Sequence, residues 1–427
     1  MGNCKFCGKQ HNVGFVSTRI AGTDGVSLEI SKWAAVFGDR GLDCYYFAGE
    51  LDRPPECCYH VGEAHFKHPE IRSQFKKAFG YKTRSRSFTD DLHESKERIK
   101  TALYDFIEKF KIQLLVPQNS LTIPLNIPLG VALTEVIAET NIPTIAHHHD
   151  FFWERQEFLL HNVWDYLNMA FPPHLPSMRH VVINSAADHQ LSLRTGISPT
   201  IIPNVMDFEN PPLLPDDYSA DIRHALGVDD DEVLILQPTR IVKRKGIEHA
   251  IELVKRLDMK AKLIISHASG DEEHTYENRI RQYSEIMGVN TRFVSNIIGE
   301  KRGMTDDGRK MYSLDDLYPF ADLITYPSNK EGFGNAFLEA VYYKKPIMVN
   351  TYSIYATDIK PKGFKAIEID GYVTENAVRQ ARDILKDKHL RDEMVSYNYS
   401  LASKHYSYGM LRQKLDALVQ DCMRCGT

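Results

Sequence analysis

Short runs of consecutive apolar residues alternate along this chain with longer stretches in which apolar positions recur every three or four residues. The first pattern reads as buried strand and the second as a helix packed on one face. Val13 to Thr18 is a strand of the buried kind, followed by the loop Arg19 to Gly25, an apolar-periodic helix from about Val26 to Phe37, and a strand over Asp43 to Phe47. Strand, glycine-bearing loop, helix and strand make a βαβ unit of a doubly wound sheet, whose ligands lie beyond the strands' carboxyl ends. A helix over 91–110, strand 112–117, helix 127–139, strand 143–147 and strand Val181 to Asn184 continue the alternation. Five prolines (199, 203, 211, 212 and 215) then form a rigid connector and place a domain boundary. A second set follows: strand Val233 to Pro238, helix 246–257, strand 262–266, helix 275–287, strand 291–294, helix 313–318, strand 321–326, helix 335–343 and strand Pro346 to Asn350. The pattern predicts an α/β protein with two Rossmann-like doubly wound domains, 1–210 and 211–400, and a helical end over 401–427.

Composition changes this picture little. With 427 residues, 43% hydrophobic and 26% charged, the chain is long enough for two ordinary domains. A net charge of −5 gives no electrostatic case for nucleic-acid binding. No run approaches the ~20 apolar residues of a membrane helix, so no transmembrane segment is expected. The first residues, MGNCKFCGKQHN, lack the hydrophobic core of a secretory signal, and a cytoplasmic protein is expected.

The chemistry concentrates in Asn329 to Pro346, NKEGFGNAFLEAVYYKKP. A strand arrives before it, and a turn of Glu331, Gly332, Phe333 and Gly334 leads into a helix from about Asn335. Glycines let backbone approach a ligand closely, and the free N–H groups of a helix start favour an anion. Glu331 and Glu339 bracket the turn with seven residues between them, so both are expected to face one crevice and accept hydrogen bonds from a polyol. Earlier, Gln237 to Gly246 (QPTRIVKRKG) sets Arg240 directly after a strand, with Lys243, Arg244 and Lys245 in the turn that follows. Arg240 offers a planar fork for phosphate oxygens and Lys245 a mobile point charge.

The phrase PFADLITYPSNKEGFGNAFLEAVYYKKPIMVN resembles the donor-sugar signature of the retaining, nucleotide-sugar-dependent glycosyltransferases of family 4. Gln237 to Gly246 resembles that family's phosphate-binding turn, and Ile202 to Asp207 (IPNVMD) its interdomain IPNGVD phrase, departing at Val205 and Met206. The resemblance implies a GT-B fold, two Rossmann-like domains facing a central cleft. It also implies that the final helices, about 374–388 and 408–424, pack back across the domain boundary. Glu339 would hold the ribose hydroxyls, and Glu331 hexose hydroxyls beside the reacting carbon. Gly332, Phe333, Gly334 and Asn335 would meet the donor. No cofactor would be needed and no enzymic nucleophile: the acceptor attacks from the face the diphosphate leaves, and the configuration is retained.

In the N-terminal half the loop Arg19 to Gly25 is not GxGxxG, so a dinucleotide fingerprint is not supported. It resembles the family's first glycine loop, in which Gly22, Thr23 and Gly25 bring backbone to the acceptor and the donor's phosphates while Asp24 binds a hydroxyl. Gln118 and Asn119 follow a strand and are expected to point at the cleft. The strand ending in His147-His148-His149-Asp150 resembles the family's His-x-Asp segment, in which a histidine touches the transferred sugar. By spacing His148 takes that role, with His149 second. Three adjacent histidines point in different directions and do not suggest a metal. From Ile71 to Thr89 six basic residues (Arg72, Lys76, Lys77, Lys82, Arg84 and Arg86) stand without an acid, either as a solvated face or as a grip on an anionic acceptor.

STRIAGTDGVSLEISKW, residues 17–33, is similar to enzymes that extend glucosylglycerate-type compatible solutes. The expected reaction is hexose transfer from a nucleotide-sugar donor, UDP-glucose or GDP-mannose, to a small soluble and anionic acceptor. Sucrose- or trehalose-type synthesis and a glycan acceptor stay open, as do a sugar-nucleotide epimerase and a non-catalytic sugar-nucleotide binder. The donor's base and hexose are expected to be read around Ser266 to His274 and Val294 to Ile298, where no decisive residue stands out. A homodimer is also left open. Of seven cysteines, Cys4 and Cys7 form one C-x-x-C and Cys422 and Cys425 another. C-x-x-C is half of a four-thiolate zinc site, and Cys4-x-x-Cys7-Gly-Lys is the form of a zinc knuckle. If the last helix brings the ends together, the four thiolates share a structural zinc. The alternatives are unpaired thiols, or a single pair completed by His11.

Overall fold

The computed structural model describes residues 11–212, 215–269 and 274–424. The chain divides into two compact units. Met1–Val205 with Tyr408–Thr427 forms the first, and Met206–Ser407 the second. The division falls within the proline-bearing connector, five residues before the expected 210, and the chain returns to the first unit at Tyr408.

In the first unit, β1 (His11–Val16), β2 (Leu42–Ala48), β3 (Cys58–His60), β4 (Leu114–Pro117), β5 (Thr144–His148), β6 (Met178–Val182) and β7 (Thr200–Ile201) form one parallel sheet in the order β3-β2-β1-β4-β5-β6-β7. Strands buried on both faces need apolar runs, as Val13 to Val16 and Leu114 to Val116 supply. Trp33, Phe37 and Ile30 of the helix Gly25–Asp39 pack with Leu411, Leu415 and Leu418 of the helix Tyr408–Arg424 in one apolar cluster. Ile99, Leu103 and Phe106 of Arg86–Lys109 pack with Leu129, Leu133 and Val136 of Ile127–Thr140 in another.

The second unit repeats the plan with β8 (Val233–Gln237), β9 (Ala261–Ile265) and β10 (Thr291–Phe293). A small separate sheet of β11 (Ile298–Gly299), β12 (Gly303–Met304) and β13 (Lys310–Ser313) follows. Then come β14 (Leu323–Tyr326), β15 (Ile347–Asn350) and β16 (Ile367–Ile369). The main sheet runs β10-β9-β8-β14-β15-β16, all parallel. The helix Glu375–Lys386 was expected to leave this unit and does not. Ala377, Val378, Ala381 and Ile384 are buried in the second unit's core with Ile247, Ile251 and Val254. Arg382 Nε also donates to Leu257 O at 2.8 Å. An amphipathic pattern states that a helix packs, but not on which unit.

Among the described residues no helix is long and apolar enough to cross a membrane. Cys4, Cys7 and Cys425 lie outside the described residues. Cys422 is buried with Leu418 and Val419 in the first unit's core, and His11 meets Gln113 Oε1 at 3.0 Å. Among the described residues no group of three or more His, Cys, Asp or Glu is set to hold an ion, and three of the four thiolates of the expected zinc site lie outside them.

Candidate active site

The second unit's strand order reverses between β8 and β14, and a doubly wound sheet opens its binding crevice beyond the carboxyl ends of the strands at that point. Two loops leave there, one carrying Arg240 to Gly246 and the other Pro327 to Gly334. A buried polar chain fixes their roots: Thr325 Oγ1 donates to Gln237 Oε1 at 2.7 Å, and Gln237 Nε2 donates to Thr239 Oγ1 at 2.7 Å. Asn329 N–H donates to Arg244 O at 2.8 Å, lacing one loop to the other. Gly246 holds φ +58°, and a Cβ on it would stand 2.5 Å from Pro327 O. Only glycine allows that approach.

Lys245 and Glu331 form an ion pair between these loops, each side chain 10% exposed. Arg244 Nη1 donates to Glu331 Oε2 at 2.9 Å, and Lys245 Nζ lies 5.2 Å from the centre of the Tyr326 ring. Burial pushes the Glu331 carboxyl up, but Lys245 and Arg244 outweigh it and hold the group below its ordinary value, so it is ionised at neutral pH. Burial draws the Lys245 ammonium down, with Glu331 pulling the other way. Arg240 is exposed and has no ion-pair partner among the described residues.

The helix Asn335–Tyr342 begins at Gly334 with no side-chain cap, which leaves the positive end of its dipole to a ligand. On its second turn Glu339 Oε2 accepts from Tyr318 at 2.6 Å, and Tyr318 stacks on Tyr343 at 4.8 Å. Arg244 and Tyr318 were not foreseen as partners of the two glutamates. Phe333 corrects an expectation: its side chain is buried against Tyr406, centroids 5.4 Å apart, and anchors the turn rather than meeting a donor. Gly334 stands at φ +127°, where a Cβ would run into the Tyr352 hydroxyl that donates to Phe333 O at 2.7 Å. Gly334→Ala is expected to lower unfolding free energy by ~1–3 kcal/mol, read in denaturant melts, and to weaken nucleotide binding.

In the first unit the reversal lies between β1 and β4, and three expectations change. Asp24 is the N-cap of the helix Gly25–Asp39. Its Oδ1 accepts from Val26 N and Ser27 N at 3.1 Å each, and its Oδ2 from Ser27 Oγ at 2.6 Å. Its carboxylate is therefore engaged in starting the helix and not in binding a hydroxyl. Asn119, at φ +58°, donates to Asp150 Oδ1 at 3.1 Å and accepts from His149 N at 3.1 Å, clipping two loops together. His148 is 1% exposed, with Thr122 Oγ1 2.6 Å from its Nδ1 and His180 Nδ1 2.9 Å from its Nε2. It is an interior residue. His149 is the half-buried imidazole, 3.3 Å from Gln118 Oε1, with Asp24 and Lys32 in electrostatic reach. Gly22, at φ +70°, turns the first loop and donates to Asp52 Oδ2 at 2.8 Å, while Thr23 and Gly25 are exposed beside it. Of the basic run, Arg84 is engaged with Asp165 at 2.6 and 2.5 Å and Lys77 with Asp91 at 3.2 Å, while Arg72, Lys76, Lys82 and Arg86 are exposed.

Burial holds His147 and His148 well below the usual 6.5 and His180 at about 4. The unfolded chain binds protons that these rings refuse, so stability present above pH 6.5 is lost as pH falls toward 4. Each ring contributes up to ~1.4 kcal/mol per pH unit. Denaturant midpoints measured across that range are expected to fall steeply, and a flat profile would contradict the burial.

The model of the family Glycosyl transferases group 1 matches residues 219–401. The mannosylglucosylglycerate synthase of Thermotoga maritima is 30% identical over 427 residues, covering 92% of this chain and 96% of that protein. A mannosylglucosylglycerate synthase of Petrotoga mobilis is 31% identical over 386 residues, covering 84% and 86%. A glycosyltransferase structure from Rickettsia africae superposes with a TM-score of 0.68 over 97% of this chain and 99% of its own, at 13% identity. Sucrose-phosphate synthase of Thermosynechococcus elongatus does so at 0.66 over 97% and 100%, at 14% identity. At such identities the likeness speaks to the fold alone.

Proposed function

Because the chain belongs to the group 1 glycosyltransferases of the GT-B type, we propose that it moves a mannosyl group from GDP-mannose to a glucosylated glycerate, with retention at the anomeric carbon. The observation that carries the substrate class is the relation, at 30% identity over 92% of the chain, to a mannosylglucosylglycerate synthase. The cations Arg240 and Lys245 beside the Asn335–Tyr342 helix start support a nucleoside diphosphate as leaving group.

Arg240 takes diphosphate oxygens in its planar fork, and Lys245 and the start of the helix Asn335–Tyr342 add positive charge as the leaving group gains negative charge. Glu331 accepts from hydroxyls of the hexose, and Glu339, braced by Tyr318, from those of the ribose. His149, and not His148, is the imidazole that meets the sugar. The acceptor hydroxyl attacks the face from which the diphosphate leaves. A C–O bond to the acceptor forms as the C–O bond to phosphate breaks, and the acceptor's proton passes to the departing phosphate oxygen. With charge supplied by the chain, the step needs no metal.

The test is the product formed from GDP-mannose and glucosylglycerate, identified by mass and by NMR of its new linkage. An α-linked mannosyl product is expected. An inverted linkage, or a mannosyl group trapped on the protein, would overturn the same-face mechanism, and transfer only to acceptors without a glycerate would overturn the acceptor class.

A further inference from the structure

We infer that His267 is a third ligand for the donor's diphosphate and takes up a proton as the diphosphate arrives. The inference rests on the donor-site reading above and adds to it a residue that the phosphate-binding phrase does not contain. β9 lies beside β8 in the parallel sheet, so Ser266 and His267 leave the sheet at the same edge as the Arg240 loop. Two backbone bonds hold the segments together: Ser266 N–H donates to Gln237 O and Ile241 N–H to Ala268 O, each at 3.3 Å. His267 is thereby clamped alongside Arg240.

Ser266 Oγ sits 2.8 Å from His267 Nδ1, which orients the ring and turns its Nε2 edge away from Ser266. The ring is half-buried. The charged groups that face it are Arg240 and Lys245, and Lys245 is in turn paired with Glu331 beside Arg244. Burial, then Arg240 and Lys245, hold the imidazole below its ordinary value, so it is neutral in the empty site. A diphosphate between Arg240 and Lys245 reverses that balance, because a neighbouring anion favours the charged imidazolium. The added proton lets both ring nitrogens donate: Nδ1–H to Ser266 Oγ, and Nε2–H to a phosphate oxygen.

The experiment is isothermal titration of the full chain with GDP-mannose, and separately with UDP-glucose, near neutral pH in two buffers of different ionisation enthalpy. Neither nucleotide sugar has a group on its diphosphate that titrates there, so proton uptake reports on the protein. The expected result is uptake approaching about one proton per nucleotide bound. His267→Gln should abolish the uptake and weaken binding about tenfold. His267→Arg, a permanent cation, should restore affinity without uptake. Unchanged affinity or unchanged uptake in His267→Gln would overturn the inference. Arg240→Ala separates the two readings. If that variant binds as tightly as the native chain, or the native chain binds no nucleotide sugar, the donor site itself is wrong. If Arg240 matters and His267→Gln is silent, only the role of His267 falls.

Discussion

Arg240→Ala is expected to lower kcat/KM for transfer by ~10²–10³-fold, the cost of removing one preorganised donor from a site of developing negative charge. Stability should change by no more than ~0.5 kcal/mol, because the side chain is exposed and holds no ion pair among the described residues. Arg240→Lys should recover only part of the rate, since an ammonium cannot reproduce a planar two-point contact. Steady-state kinetics with saturating acceptor, alongside denaturant melts, checks both halves. A large loss of stability together with activity would make Arg240 a structural residue and remove it from the site.

Glu331→Gln should behave differently and strike twice. It leaves Lys245 buried without a counter-charge, at a cost of about 3 kcal/mol in folding free energy. It also removes the carboxylate proposed to hold the hexose. The double variant Glu331→Gln with Lys245→Met removes the stranded charge, so stability should return toward the native value while transfer does not. Because the Glu331 carboxyl sits below its ordinary value, its stabilising contribution is fully present above the ordinary carboxylate range and is lost progressively as pH falls from there through the depressed value. Stability of the double variant no better than that of Glu331→Gln would contradict the pairing.

The elements that hold this site were readable because doubly wound strands are buried on both faces. Val233 to Gln237 and Leu323 to Tyr326 are mostly apolar runs, and Arg240 and Glu331, in the loops that follow them, stand where a parallel sheet places ligand groups. The histidines were harder. Alternation along β5 sends His147 and His148 to opposite faces, His147 to Gln118 and His148 to Thr122 and His180. With both faces covered, sequence had no means of telling which ring stays at the surface. Asp24 carried a signal that pointed elsewhere: an aspartate immediately before an apolar-periodic helix is an N-cap first. The strands at 298–299 and 303–304 are two residues long, too short for any periodicity to register. Which unit receives the helices Glu375–Lys386 and Tyr408–Arg424 depends on contacts far apart in sequence, which a local pattern does not contain.

The most direct test is release of nucleoside diphosphate from GDP-mannose, UDP-glucose, ADP-glucose and UDP-GlcNAc, each with and without glucosylglycerate. The account predicts release from GDP-mannose that depends on the acceptor and disappears in Arg240→Ala. Release at the same rate without acceptor, or no binding of any nucleotide sugar, would contradict it.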